Sequence, residues 1–248
     1  MKGIIEMYDF MKIADDDPVL DGSPLVRALD FLNTKFRSDP KGIPLTKSTA
    51  LQRTIVAEAI AEIQWPDWTE QEVYHGFMPI KVADEQHFEP LFIVHNLLLN
   101  MRVVRNYKGR LLLTRKGAAT FARRFDSFDV LAQELLLRAP YFAISRQRNG
   151  FVGNWDIWLN VLDVEADAGI SCQKITETFY GPASVDTVFD PRPSGLYDGV
   201  LRPLVWCGLL TENMDMGRKL SERVYTKTLL WNRYLKLDPK QPRLRVVH

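Results

Sequence analysis

Cysteine is close to missing from this sequence: Cys172 and Cys207 are its whole supply in 248 residues. Two cysteines make no disulfide framework in a chain of this length. Both stand in apolar surroundings, GISCQKI and LVWCGLL, where a thiol usually behaves as a small buried hydrophobe. Also missing is any apolar run near the ~20 residues that cross a bilayer. The longest, Pro90–Met101 (PLFIVHNLLLNM), suits a buried helix. The opening stretch, MKGIIEMYDFMKIADDDP, lacks the apolar core of a signal peptide, because Glu6, Asp9 and Lys12 break it. The expectation is a cytoplasmic protein. Low-complexity tracts are absent, and 46% hydrophobic with 25% charged residues is the balance of a folded globular chain.

Catalytic signatures are missing as well. No glycine-rich phosphate loop, nucleophile elbow or HExxH pair occurs. Of the four histidines (His75, His87, His95 and His248), His87 and His95 could approach one another. No cysteine or carboxylate pattern completes a metal site around them. Ser171-Cys172 has no neighbouring base in sequence. Asp15, Asp16 and Asp17 read as a mobile acidic leader rather than a cation site. These absences point to a non-catalytic protein with no metal and no cofactor.

One further absence is local. Residues 90–125 carry eight lysines and arginines and not one acid. Residues 1–89 hold nine cations against sixteen acids, 126–217 hold six against thirteen, and 218–248 hold nine against two. A net charge of +1 therefore conceals four blocks of alternating sign.

Those blocks follow the organisation of the chain. After an acidic leader over 1–22, Ser23-Pro24 has the form of an N-cap with proline at the first helical position. Leu25, Leu29, Leu32 and Phe36 then recur at helical spacing. SDPKGIPL reads as a turn, and Ser48 or Thr49 as the start of a helix reaching Ile63. The proline-bearing stretch from Trp65 to Glu89 leaves room for a short helix near Thr69–Tyr74. Behind the apolar helix from Pro90, Val103–Asn106 and Arg110–Thr114 flank a Tyr-Lys-Gly turn, which is a hairpin signal. Thr114 caps a basic helix, and Phe128–Arg138 closes a first unit over 23–139.

Residues 140–150, with Pro140 and Asn149-Gly150, form the predicted joint. The second unit, 151–248, repeats the syntax without repeating the residues. Helices are expected at about Trp155–Ala168, Cys172–Phe179 and Leu196–Trp206, then a hairpin with Met216-Gly217 at its tip and a closing helix, KTLLWNRYLKL. Thr226 stands 112 residues after Thr114, and Arg202 the same distance after Pro90.

Helices closed by a two-stranded hairpin define the expected fold: mainly α, two winged-helix-like units. The run Tyr107–Gly117 (YKGRLLLTRKG), with Ile43–Thr46 (IPLT) before it, resembles the helical region of the plasmid Ri ORF-three-like proteins. The Leu-Thr-x-x-Gly end of the second strand is similar to the wing of many bacterial winged-helix regulators. The resemblance covers about 25–140. It implies a plasmid-associated chain of helix-turn-helix character and brings no activity with it.

Both positive blocks coincide with a predicted hairpin and the helix behind it. The candidate nucleic-acid contacts are therefore Arg105, Lys108, Arg110, Arg115 and Lys116 in the first unit, and Arg218, Lys219 and Arg223, with Lys227, in the second. Such cations could neutralise phosphate, or simply protect solvated strand edges. The helices ahead of the hairpins are nearly apolar throughout, and helices of that kind are buried. Only His95, Asn96 and Asn100 could meet base edges in the first. The function expected is non-specific DNA binding through basic wings. The alternative is an assembly adaptor whose partner is a second copy or another protein, with charge blocks of opposite sign meeting. Trp65 and Trp68, in a proline-bearing loop, are candidate partner anchors.

Overall fold

The computed structural model describes residues 9–138, 154–183, 190–213 and 219–237. The chain divides into two compact units, Ala14–Leu135 and a second that joins Met1–Ile13 to Leu136–His248. The first strand, β1 (Asp9–Phe10), thus belongs with the C-terminal part.

In the unit Ala14–Leu135, Ser23 accepts a hydrogen bond from the Val26 amide and starts α1 (Pro24–Ser38). Leu25, Leu29 and Leu32 line its buried face, as their spacing predicts. The SDPKGIPL stretch is more than a turn. Ile43–Pro44 is a strand, β2, entered through Gly42 at φ +86°. A Cβ on Gly42 would lie 2.4 Å from the Leu111 carbonyl oxygen, so only glycine fits there. Helix α2 (Arg53–Ile63) begins four or five residues later than Ser48 or Thr49 suggests. The intervening loop closes on itself through reciprocal Thr46 and Ala50 hydrogen bonds, with Thr49 at φ +63° and Leu45 bridged to Leu51.

A capping box on Thr69 and Glu72 opens the short α3 (Glu70–His75). Helix α4 (Glu89–Asn100) buries Pro90, Leu91, Ile93, Val94, His95, Leu97 and Leu98. It ends with Arg102 in the left-handed region, where the chain turns into β3 (Val104–Tyr107) and β4 (Arg110–Leu113). Tyr107 pairs with Arg110, leaving Lys108 and Gly109 as a two-residue turn with φ of +47° and +72°. Two positive φ values match the right-handed twist of a hairpin. β2 adds to β4, so the sheet order is β2-β4-β3. Two helices complete the unit, α5 (Arg115–Thr120) and α6 (Arg124–Gln133).

The second unit follows the same order. Helix α7 (Trp155–Glu165) leads through Gly169, again at φ +86°, into β5 (Ile170–Ser171). Ser171 caps α8 (Cys172–Tyr180). A helical run from Arg192 to Trp206 follows, built of α9 (Arg192–Leu196), a π-turn and α10 (Arg202–Trp206). Then come β6 (Leu210–Asn213), β7 (Val224–Lys227), α11 (Leu229–Tyr234) and β8 (Leu235–Lys236). The sheet order is β5-β7-β6, the same first–last–middle arrangement, and β1 pairs with β8. The second predicted hairpin thus exists; its tip, Met216-Gly217, lies outside the described residues.

The match between units extends to individual hydrogen bonds. Thr114 Oγ donates to the Arg102 carbonyl at 2.7 Å and accepts from the Gly117 amide. Thr228 Oγ donates to the Gly208 carbonyl at 2.7 Å and accepts from the Trp231 amide. The equivalent of Thr114 is therefore Thr228. Thr226, which the sequence spacing suggests, lies inside β7. Arg102 corresponds to Gly208, 106 residues on, so Pro90 matches Leu196 rather than Arg202. The fold is mainly α, with small antiparallel sheets in a winged-helix-like order in both units.

Candidate nucleic-acid interface

The acid-free block 90–125 meets carboxylates from elsewhere in its own unit. Arg110 donates to Asp39 Oδ2 at 2.7 Å and to the Gly42 carbonyl at 2.8 Å. It braces the entry to β2 rather than facing solvent freely. The Lys41 backbone N–H, and after it the Arg110 guanidinium, hold the Asp39 carboxyl below its ordinary pKa. Arg123 bonds Asp15, and Arg124 bonds Asp21 and Asp30. Asp15 also accepts from the Phe125 amide at 2.9 Å, and Asp17 caps the turn Pro18–Gly22. The acids expected to form a mobile leader include these two, which are docked.

What remains of the block is the wing itself. Arg102, Arg105, Lys108 and Arg115 are exposed, and among the described residues none makes an ion pair with a carboxylate. Tyr107, 47% exposed, lies between two of them, with Arg105 5.1 Å and Lys108 5.2 Å from its ring centre. Lys116 is exposed and caps the end of α4 by bonding the Met101 carbonyl. Gly117 lets α5 approach the hairpin closely, since a Cβ there would lie 2.0 Å from the Val103 carbonyl oxygen.

Helix α4, placed where a winged helix presents its reading surface, offers little to a base edge. Beyond its buried residues it shows Phe92, Asn96 and Leu99 half-buried and Asn100 exposed. The Asn96 amide is already bonded to the Phe92 carbonyl. His95 is in the core, with Nδ1 2.6 Å from Glu85 Oε1 and no hydrogen-bond partner for Nε2 among the described residues. The second Glu85 oxygen accepts from the Leu51 amide at 2.6 Å. His87 instead pairs with Asp84, so the two histidines make separate contacts. Trp65 is fully buried and bridged to Trp68, which assigns it to the core rather than to a partner.

In the second unit Arg223 and Lys227 are neutralised internally. Arg223 bonds Glu212 at 3.1 Å and lies over the Tyr197 ring. Glu212 also accepts from Tyr225, whose hydroxyl pKa is driven up by burial and then by that carboxylate. Lys227 is pinned between Asp163 and Asp167, and Asp163 also accepts from the Trp231 indole at 2.8 Å. Lys219 is exposed, and Arg218 lies outside the described residues. Both cysteines are free and buried; burial pushes the Cys172 thiol up to about 12 and raises Cys207 as well. Neither is a nucleophile at neutral pH. Among the described residues no three His, Cys, Asp or Glu could hold a metal ion, and no helix is long and apolar enough to cross a membrane.

Fold and site together define a two-unit, winged-helix-like protein whose first unit carries a basic, solvent-facing wing. The Y4jL N-terminal domain matches residues 21–126 and the y4jL C-terminal domain residues 145–229. Between them these matches span most of the sequence. A protein of Sinorhizobium fredii (strain NBRC 101917 / NGR234), named "Uncharacterized protein y4jL", is 27% identical over 178 residues, 71% of this chain and 79% of that one. These comparisons lend no support to the likeness of Tyr107–Gly117 to the plasmid Ri ORF-three-like proteins. No solved structure matches the chain.

Proposed function

We propose that the unit Ala14–Leu135 binds the phosphate backbone of nucleic acid through its wing, without reading base sequence. The observation that supports this is the group Arg102, Arg105, Lys108 and Arg115, exposed and without carboxylate partners around an exposed tyrosine. Unneutralised cations displace the counterions condensed on a duplex, and the released counterions drive binding. Tyr107 adds a flat face beside the phosphates. The apolar, buried α4 argues against sequence reading, because groove recognition needs donors and acceptors at the helix surface. The looser likeness to bacterial winged-helix regulators agrees with a wing that contacts backbone.

The test is fluorescence anisotropy of the full chain with a generic labelled duplex over a salt series. Affinity should fall steeply with salt. Replacing Arg105, Lys108 and Arg115 together by alanine should make the log–log slope shallower by about 0.9 for each phosphate that is no longer neutralised. Arg110 is left in place because it supports β2. Absence of a complex at micromolar protein in low salt would end this reading.

A further inference from the structure

A second feature of the same unit is apolar and stands out from its surface. Between α3 and the turn Glu85–His87, Phe77 is 102% exposed, Met78 77% and Val82 56%. The loop is fixed at its base. Gly76 donates to the Glu72 carbonyl and Ile80 to the Tyr74 carbonyl, while Val73 and Ala83 are buried at its two ends. Large apolar side chains held into water on an ordered loop mark a contact surface.

Its surroundings say what kind of contact. Glu70 and Glu72 are exposed on α3 and Asp84 is half-exposed beyond the loop. Lys81 is the sole lysine or arginine between Asp67 and Glu89. An acidic collar repels nucleic acid and anionic lipid surfaces. A complementary surface therefore presents cations around an apolar or aromatic centre. The wing of this protein has that composition, with Arg105, Lys108 and Arg115 around Tyr107. A fully exposed Phe77 touches no wing within its own molecule.

We propose that the Phe77–Val82 loop of one copy docks on the basic wing of a second copy. The contact joins two different surfaces, so a complex held by a single contact keeps one open loop and one open wing, through which association continues past the dimer. The wing then has two competing ligands, another copy and nucleic acid. Self-association itself does not depend on the nucleic-acid reading.

Sedimentation velocity of the full chain, from micromolar to several hundred micromolar, tests this at low and high salt. At low salt the mass should rise with concentration beyond that of a dimer, and salt should return it toward monomer. The F77S/M78S double variant should be monomeric, and so should R105E/K108E. An equimolar mixture of the two should form heterodimers and nothing larger, because only one intact loop and one intact wing remain. F77S/M78S should keep duplex affinity, which separates this proposal from the one above. A wild-type chain that is monomeric at every concentration overturns the proposal. So does persistent self-association of R105E/K108E, or a mixture that gives no heterodimer.

Discussion

In the first unit the hairpin carries Arg105, Tyr107 and Lys108 into solvent; in the second, the last strand and its approach carry Arg223, Tyr225 and Lys227 into carboxylates. Sheet order, helix end and threonine latch are shared. In sequence the two basic blocks look like equals. They differ in what the fold brings beside them: Glu212, Asp163 and Asp167 lie against the second set, and among the described residues no carboxylate pairs with the outer part of the first. Charge along a chain therefore indicates a binding face only after its internal partners are subtracted. Lys227 shows the balance within one residue. Burial opposes its charge, yet the Asp167 and Asp163 carboxylates raise its pKa overall.

The largest break in this comparison should come at a pair of positions that are equivalent in the frame and opposite in size. Gly117 and Trp231 each donate a backbone N–H to the latch threonine. Trp231 is buried, and its indole bonds Asp163. Trp231→Ala should cost about 3–5 kcal/mol and expose the amides of the second unit first in hydrogen exchange. Gly117→Ala should cost about 1–3 kcal/mol through overpacking, because its Cβ would meet the Val103 backbone. Its effect should appear in the first unit. If both changes open the same unit, the correspondence drawn between them is wrong.

A smaller effect sharpens the electrostatic contrast. Alanine at Arg105, Lys108 and Arg115 should leave stability within about 0.5 kcal/mol, as surface changes usually do, while weakening duplex binding. Alanine at Arg223 and Lys227 should do the reverse, lowering the denaturation midpoint and leaving the salt slope unchanged. Most of that loss should come from Arg223, whose removal strands the buried Glu212 carboxylate; the Asp163 and Asp167 partners of Lys227 reach solvent. Urea unfolding and anisotropy on the same two variants check both halves of the statement.

Both hairpins, the long apolar helices and the Ser23 cap were legible, because each rests on local chemistry: β-branched runs about a glycine turn, period-three-and-four leucines, a serine before proline. The first strand of each sheet was not. Ile43–Pro44 and Ile170–Ser171 are two residues long and carry no periodicity that a window could detect. The signal that marks them is a Gly-Ile pair at 42–43 and again at 169–170. In both, glycine takes φ +86° where a Cβ would crowd the neighbouring strand. The pairing of Arg110 with Asp39, 71 residues away, and of Lys227 with Asp163 also lay beyond local reasoning. The free wing thus became distinguishable from the neutralised one only through the tertiary fold.

The finest test concerns register, and its expected effect is the smallest. Thr114 and Thr228 each perform three tasks: the hydroxyl donates to the carbonyl at the end of the preceding helix, accepts from the third amide of the next helix, and lies where the hairpin returns. Serine keeps both hydrogen bonds, whereas alanine leaves a helix amide and a carbonyl without their partner. Thr114→Ala and Thr228→Ala should therefore each cost about 1 kcal/mol, and the serine variants distinctly less. Thr226 caps nothing, and its backbone carbonyl, rather than its side chain, accepts from Thr211. Thr226→Ala should cost less than Thr228→Ala, with the difference set by the cap. Denaturant midpoints of the five variants decide it. A Thr226→Ala cost equal to or above that of Thr228→Ala would restore the register suggested by sequence spacing, and the bond-for-bond match of the two units would fail at the point where it is most detailed.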